Sequence, residues 1–404
     1  MTTEQWRAAG AAAVLVAGLA IGGVGNVSAA PPTGSGSGSA GPNPLFEESV
    51  QYPSGGLGPG VGSQTMAVGD LDGDGNVDVA STGLVDGVAI LRGDGTGRLD
   101  RIAFYHTEVG ANAVAAADLR GTGSLDLVVT NFLSVTVLFN DGHGNFTVDR
   151  TYSMDFNPNV TRRTGGIPFG AALADYNHDG RPDLAFNNLV PIPGAIAIMD
   201  NDGAGHFAAP RWIPAGIGRS TVLAGDLNGD GWPDLVTGDL GTLGFWAVLN
   251  DRRGGFEVPR WNLLPLPDED LKLDDVDGDG NLDVVSANIA AFSFSVQYGN
   301  GRGNFGAPQI TFGAIAPCAV AVADFDGDGR KDIAALQYLP STAMIYRNNG
   351  DRTFTYLEQH TIGLGPQAAE VAELRRDRQP SLVSMSSLSQ DVAVLVNRVP
   401  KGDQ

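Results

Sequence analysis

Residues 275–283 read DVDGDGNLD, and this nine-residue pattern recurs along the chain at a nearly constant interval. Close copies are DLDGDGNVD at 70–78 and DFDGDGRKD at 324–332. Successive copies start 48, 57, 51, 49, 49 and 49 residues apart. A period near fifty with strand-like apolar stretches between the copies predicts the blades of a β-propeller. The first residues of the seven copies are Asp70, Asp118, Asp175, Asp226, Asp275, Asp324 and Glu373.

Each repeat carries four apolar stretches of strand length: one before the acidic loop, two after it, and a fourth after a Gly-rich turn that ends in Phe. The last repeat ends near Asn397 without a fourth stretch, whereas Phe46 to Tyr52 forms a stretch without a repeat of its own. Pairing these two ends would remove the open sheet edges. The sequence therefore predicts an all-β, seven-bladed β-propeller of four-stranded antiparallel blades, closed by pairing of the N-terminal strand with the last blade.

Composition divides the chain into segments. Arg7, an apolar run over 8–24 and the small residues at 27–29 predict a signal peptide over residues 1–29, with an uncleaved membrane anchor as the alternative. Residues 30–44 form a Gly/Ser/Pro linker, because they contain nothing to bury. The propeller is expected over 45–399 and a short tail over 400–404. No later segment is long and apolar enough to span a membrane.

The charge balance limits the partners. Forty-six acidic against 25 basic residues give a net charge of −21, which excludes a nucleic-acid partner because such proteins need clustered Lys and Arg. The single cysteine, Cys318, cannot form an intrachain disulfide and is expected to be a small buried residue. An exported chain would then need another means of holding its loops.

The acidic loops supply a candidate for that role. In five copies side-chain oxygens occupy positions 1, 3, 5 and 9, and Gly at position 6 permits a sharp turn around one point. Converging carboxylates repel one another and need a cation, and Ca²⁺ accepts such an all-oxygen set with flexible geometry. We therefore expect about five calcium sites. Their side-chain ligands would be Asp70, Asp72, Asp74, Asp78, Asp175, Asn177, Asp179, Asp183, Asp226, Asn228, Asp230, Asp234, Asp275, Asp277, Asp279, Asp283, Asp324, Asp326, Asp328 and Asp332.

Two copies depart from the pattern. The copy at Asp118 has Arg120 at position 3, and the copy at Glu373 has Arg375 there and Ser381 at position 9. We expect these two loops to bind no calcium. The hypothesis is that a guanidinium supplies the positive charge in their place.

The D-x-[DN]-x-D-G-x-x-D loops, the apolar strands after them and turns such as Asn140 to Phe146 resemble FG-GAP/VCBS repeats over about residues 45–399. This resemblance implies a seven-bladed propeller related to the ligand-binding head of integrin α subunits and to several secreted lectins. It does not imply one ligand.

Antiparallel strands place the acidic loops and Gly-rich hairpins at one face and the remaining connections at the other. The second face carries an insertion that offers Phe156, Arg162, Arg163 and Phe169 as candidate ligand-binding residues. An apolar residue also recurs just after the second strand and is expected to pack between blades. Its copies are Phe132, Leu189, Leu240, Ile289, Tyr338 and Leu388.

No catalytic motif such as H-E-x-x-H or G-x-S-x-G is present. We therefore expect a secreted or cell-surface, monomeric, calcium-binding module for adhesion to a glycan or an extracellular protein, with no membrane span after signal cleavage. One alternative is a polysaccharide lyase-like enzyme that uses Arg162 and Arg163, and the other is a purely structural envelope protein.

Overall fold

The computed structural model describes residues 44–54, 66–83, 87–154, 167–188, 194–215, 221–239, 243–264 and 270–398. The expected signal peptide, the tail and all of the linker except Pro44 lie outside these ranges, and their boundaries stay predictions. Within the described ranges, no helix combines the length and the apolar character that crossing a membrane requires.

The described residues form seven four-stranded antiparallel sheets, one for each sequence repeat, and this confirms the predicted fold. Strand β1 (Val50–Pro53) precedes the first repeat. The first three blades are β2 (Met66–Gly69), β3 (Asp78–Gly83), β4 (Gly87–Gly93) and β5 (Leu99–His106), then β6 (Ala113–Ala117), β7 (Asp126–Asn131), β8 (Ser134–Asn140) and β9 (Phe146–Ser153), then β10 (Ala172–Ala174), β11 (Asp183–Asn188), β12 (Ala195–Met199) and β13 (Arg211–Pro214).

The remaining blades follow the same order. The fourth and fifth are β14 (Val222–Gly225), β15 (Asp234–Asp239), β16 (Gly244–Val248) and β17 (Arg260–Leu263), then β18 (Asp270–Asp274), β19 (Asp283–Asn288), β20 (Ser293–Gln297) and β21 (Gln309–Phe312), with a 3-10 turn over Ile289–Ala291. The sixth and seventh are β22 (Pro317–Ala323), β23 (Asp332–Gln337), β24 (Thr342–Asn348) and β25 (Phe354–Thr361), then β26 (Pro366–Ala372), β27 (Ser381–Ser386) and β28 (Asp391–Leu395).

The amino-acid composition of each strand follows from its position in the blade. The second strand of every blade, for example β7 with the sequence DLVVTN, is buried along its whole length. Because neighbouring blades cover both of its faces, its sequence does not alternate between polar and apolar residues. First strands of neighbouring blades contact one another, as β2 does with β6 and β26. Their Ala and Gly residues, as in AVAAA of β6, allow this close approach.

The hydrophobic core consists of seven clusters, and each lies between two neighbouring blades. One cluster joins the seventh blade to the first through Val394 and Leu91, so no interface of the ring lacks a core. Buried Cys318, which is 6% exposed, agrees with the expectation for this residue. A closed ring follows directly from this arrangement.

The N-terminal strand closes the ring as predicted. Strand β1 pairs with β28 from Val50 opposite Val394 to Pro53 opposite Asp391, and Phe46 forms a further bridge with Asn397. Phe46 is 1% exposed, and the centroid of its ring lies 5.5 Å from that of Phe325 in the sixth blade. The N-terminal strand thus contributes core as well as backbone hydrogen bonds.

The alternation of strand direction gives the ring two faces. The acidic loops and the hairpins between third and fourth strands lie at one face, which we call the Asp-loop face. The connections between second and third strands and between blades lie at the opposite face. Strand β1 starts near Phe46 and β28 ends near Asn397, so both ends of the described chain lie at the Asp-loop face.

Replacing Phe46 with Ala is expected to lower the free energy of unfolding by about 3–5 kcal/mol, because it removes a fully buried ring from the closing strand. Urea titration followed by circular dichroism measures this change. Val50→Ala is the control, since Val50 begins the closing strand β1 just after Phe46 but is 47% exposed. Equal losses in the two variants would contradict closure through the Phe46 core.

Candidate metal loops and binding face

The first carboxylate of each acidic loop organises the loop backbone. In the fourth loop, Asp226 Oδ1 accepts hydrogen bonds from the backbone N–H of Gly229 at 2.8 Å and of Asp230 at 3.1 Å, and its Oδ2 accepts one from Gly231 at 2.8 Å. Gly231 has φ of 83°, a value that favours glycine. This geometry confirms the sharp turn expected at the sixth position. The equivalent residues Gly75, Gly180, Gly280 and Gly329 all have φ of 86°.

The ninth residue ties the loop to the rest of its blade. In the fourth loop Asp234 is completely buried, and its Oδ2 accepts a hydrogen bond from Leu227 N at 2.9 Å while its Oδ1 accepts one from Asn250 N at 2.7 Å. One carboxylate therefore joins the start of the loop to the end of the third strand. The same pair of contacts is made by Asp78, Asp283 and Asp332.

The third loop differs in one respect. Asp183 Oδ1 accepts a hydrogen bond from Asn201 N at 2.8 Å, but its Oδ2 is buried and has no hydrogen-bond partner among the described residues. A buried carboxylate oxygen without a donor is costly unless a cation or proton neutralises it. This oxygen is therefore an observation in favour of a cation at the loop.

Burial shifts the acidity of all five ninth-position carboxylates. Burial is the largest cause that raises the pKa of Asp78 and Asp234 to about 6, and neighbouring loop carboxylates raise it further. The pKa of Asp332 is raised to about 7 for the same reasons. In each of these loops the protein groups around the ninth-position carboxylate therefore do not fully stabilise its negative charge. The remaining two, Asp183 and Asp283, also have their pKa raised by burial to about 6.

Three of the five loops gather three carboxylate oxygens within 4.8 Å of one another. In the third and fourth loops the third position is Asn177 or Asn228, so an amide oxygen replaces one carboxylate. An all-oxygen set of this density fits a hard divalent cation such as Ca²⁺. The three groups are Asp70, Asp72 and Asp78; Asp275, Asp277 and Asp279; and Asp324, Asp326 and Asp332.

Arginine side chains lie at the rims of these loops. Arg92 pairs with Asp72 and Arg347 with Asp326, both at the third position of their loops, and Arg252 Nε lies 3.4 Å from Asp230 Oδ2. The arginine side chains are 45–61% exposed. Their carboxylate partners are only 1–14% exposed, so a divalent cation at these loops would compete with the guanidinium groups for the same oxygens.

The predicted ligand residues of the insertion are only partly described. Phe156, Arg162 and Arg163 lie outside the described residues, and their assignment stays a prediction. Phe169 is described and is 8% exposed, so most of its ring is buried and offers a ligand little surface.

The opposite face carries apolar side chains that sequence reasoning missed. Leu388, expected to pack between blades, is 60% exposed, and this expectation is wrong for that residue. Phe132, Ile289 and Tyr338 are half-buried, while Leu189 and Leu240 lie outside the described residues. Over the last three blades, six large apolar side chains are 50–70% exposed, and we call them the apolar arc. Its members are Phe292, Phe312, Ile315, Leu339, Leu364 and Leu388.

Backbone hydrogen bonds link the turns that carry the arc. Gly313 N donates to Phe292 O at 3.1 Å, Tyr338 N to Ala316 O at 3.3 Å, and Leu388 N to Leu364 O at 2.9 Å. Ile362 N donates to Ser341 O at 3.0 Å and completes the chain of contacts. The connections over 289–292, 313–316, 338–341, 362–365 and 387–390 contain no charged residue. An uncharged signal of this kind, repeated every 49 residues, could have been found in the sequence.

Comparison with known families gives a direct match. A family model described as FG-GAP-like repeat matches residues 70–129, 118–186, 191–237 and 275–335, which together make up more than half of the chain. Human integrin alpha-7 is 36% identical over 89 residues, which cover 19% of this chain and 8% of integrin alpha-7. The chain thus spans only a small part of that relative's length.

Solved structures show the same fold at low identity. A structure of BBS1N in complex with ARL6DN has a TM-score of 0.62 and 11% identity, and the match covers 89% of this chain and 98% of that one. An Agrocybe aegerita lectin that recognises non-reducing terminal N-acetylglucosamine has a TM-score of 0.51 and 21% identity over 88% of this chain and 86% of its own. At these identities the similarity shows the fold alone.

The raised pKa values predict an unusual pH dependence in calcium-depleted protein. Folded-state pKa values near 6, against 3.8 for the ordinary carboxyl, mean that the folded chain binds more protons than the unfolded chain between about pH 4 and pH 7. These groups therefore add stability as the pH falls through that window. Urea titrations at about pH 5.5 and about pH 7.5 measure the free energy of unfolding of the wild type and of Asp234→Asn, which lacks one such carboxyl. The loss of stability from the lower to the higher pH is expected to be smaller in the variant than in the wild type. An identical pH dependence in that variant would contradict the assignment.

Proposed function

This chain belongs to the FG-GAP-like repeat family, and we propose that it is a calcium-stabilised binding module that takes a protein ligand on its opposite face. The apolar arc carries this proposal, because an exposed, apolar and uncharged surface is rare in a chain with a net charge of −21. The sequence left a glycan and a protein open as ligands. The arc favours a protein, since its six members are large apolar side chains that carry no group able to hydrogen-bond a sugar hydroxyl.

The calcium proposal is supported by the loop geometry. The first-position carboxylates orient the loop, and in three loops the first- and third-position carboxylates converge with one from the fifth or ninth position. The ninth-position carboxylates are buried and have raised pKa values. When bound, Ca²⁺ would supply the positive charge that these oxygens require. The residues that would hold it are those of the five loops at 70–78, 175–183, 226–234, 275–283 and 324–332.

We place the protein outside the cell or at its surface. The predicted signal peptide, the similarity to a segment of an integrin and the suitability of these loops for millimolar calcium all support that location. Both ends of the described chain lie at the Asp-loop face. A monomer that binds without catalysis is the simplest form of such a module. No observation on the described residues favours the lyase-like alternative.

Removal of calcium is expected to lower the melting temperature by at least about 5 °C, because each site filled to a hundred times its dissociation constant adds about 2.7 kcal/mol. Differential scanning calorimetry of calcium-loaded and calcium-depleted protein measures the change. Magnesium at the same concentration should restore little of it, since Mg²⁺ demands a tight octahedron and keeps its waters. Equal melting temperatures with and without calcium would refute a stabilising ion.

The proposed binding surface, the apolar arc, is tested with Leu364→Asp and Leu388→Asp. These substitutions place charge in the arc without disturbing the core. A photo-crosslinker at Leu339 identifies proteins bound from the surface of the source cell, and titration with the purified partner then measures affinity. We expect each substitution to weaken binding at least roughly tenfold, as for a buried interface anchor that gains an unpaired charge. Val148→Asp is the control, because Val148 is 43% exposed but lies on an outer strand. Unchanged affinity in the arc variants would exclude this surface.

A further inference from the structure

The second loop, residues 118–126, contains a buried acid and its own cation. Asp126, at the ninth position, is completely buried like its counterparts in the five calcium loops. Arg120 Nε lies 3.0 Å from Asp126 Oδ2, and Arg120 Nη2 lies 2.7 Å from Asp126 Oδ1. The guanidinium therefore binds both oxygens of the carboxylate, which is the strongest arrangement for such a pair.

Further contacts hold the Arg120 side chain in place. Its Nη2 also donates to Asn140 O at 2.7 Å, and its guanidinium carbon lies 4.3 Å from the centroid of the Phe139 ring. The Arg120 side chain is only 24% exposed, whereas the rim arginines of the calcium loops are 45–61% exposed. A fixed, half-buried and bidentate guanidinium is not readily displaced.

The second loop keeps the backbone geometry of the calcium loops. Asp118 accepts hydrogen bonds from the backbone N–H of Thr122 at 2.9 Å and of Gly123 at 2.7 Å, as the first residue does elsewhere. Asp126 Oδ1 also accepts a hydrogen bond from Asn140 N at 2.9 Å, the contact that Asp234 makes with Asn250. The loop thus reaches the common fold with Arg120 as its cation.

The seventh loop, residues 373–381, solves the same problem by removing the buried charge. Its ninth residue is Ser381, which is completely buried and neutral. The remaining acids pair with arginines of the same loop: Arg378 Nε lies 2.7 Å from Glu373 Oε2, and Arg375 Nε lies 3.2 Å from Asp377 Oδ2. This loop has no buried carboxylate that requires a metal ion.

The seventh loop also lies where the ring closes. Arg375 Nη1 is 3.6 Å from Glu47 Oε1, just ahead of the closing strand β1. The backbone joins the first blade through hydrogen bonds from Gly97 N to Leu374 O at 3.0 Å and from Arg376 N to Gly95 O at 3.2 Å. The seventh loop therefore contacts both the residues just ahead of β1 and the first blade.

We infer that the second and seventh loops keep their folded geometry without calcium, the second because Arg120 neutralises Asp126 and the seventh because Ser381 leaves no buried carboxylate there. This inference rests on the proposed calcium binding by the other five loops. Loss of calcium would then loosen those five loops and leave the second and seventh loops folded.

Hydrogen–deuterium exchange with and without calcium tests the inference on the intact chain. Calcium is expected to slow amide exchange at least roughly tenfold in the five calcium loops and to change it less than about twofold in residues 118–126 and 373–381. Calcium-dependent protection of 118–126 or of 373–381 would overturn the inference. If calcium changes exchange in none of the seven loops, the proposed calcium binding is wrong, and the inference that rests on it is wrong as well.

Three variants separate the role of Arg120 from general stability. Arg120→Met should accelerate exchange over 118–126 at least roughly tenfold, because it leaves Asp126 buried without its partner, and calcium should not restore protection. Arg92→Met is the matched control, since Arg92 pairs with a carboxylate of a calcium loop, and calcium should restore protection over 70–78. Arg120→Asp should make exchange over 118–126 calcium-dependent. Wild-type exchange in Arg120→Met, or calcium-independent exchange in Arg120→Asp, would overturn the assignment of Arg120 as the loop's cation.

Discussion

The buried residue at the ninth position of the acidic loop is the constraint on which each blade depends, and it is a carboxylate in six blades and Ser381 in the seventh. In the fourth blade Asp234 accepts backbone hydrogen bonds from both Leu227 and Asn250, so it fixes the loop against the end of the third strand. The position is completely buried, and its negative charge must be neutralised. The chain uses three chemical solutions to this one constraint: converging oxygens suited to a cation, the guanidinium of Arg120, and the neutral Ser381.

Much of the fold could be predicted because its causes are local and repeated. The period of the acidic loops gave the number of blades, and the unmatched stretch from Phe46 to Tyr52 gave the closure. The spacing of the acidic loops also indicated that their oxygens converge, and three of the five loops bring three carboxylate oxygens together, while the binding of an ion by these residues stays a prediction. The bidentate contact of Arg120 with Asp126 was visible only as a sequence anomaly, because its geometry depends on Phe139 and Asn140 from the same blade's third strand.

The lack of charge in the turns of the apolar arc was visible in the sequence, but the exposure of their apolar side chains was not. A periodic apolar residue after the second strand is compatible with packing between blades and with exposure at a turn, and the choice depends on turn geometry. Leu388 follows the buried Ser387 and donates its N–H to Leu364 O, which leaves its side chain 60% exposed. The half-buried Phe132 occupies the equivalent place in the second blade. The same sequence position therefore has different surroundings in different blades.

Positive φ at non-glycine residues occurs at both faces, for example at Arg252 in the Asp-loop face and at Phe292 and Leu243 in the opposite face, with φ of 59°, 51° and 56°. At such values a bulky side chain costs on the order of 1 kcal/mol and Gly or Asn would cost less. The side chains of Phe292 and Leu243 are apolar and 55% and 41% exposed, so burial within the chain does not offset that cost. The combination of strained backbone with exposed apolar groups is therefore confined to the opposite face in this comparison, and it is consistent with the binding face that we propose.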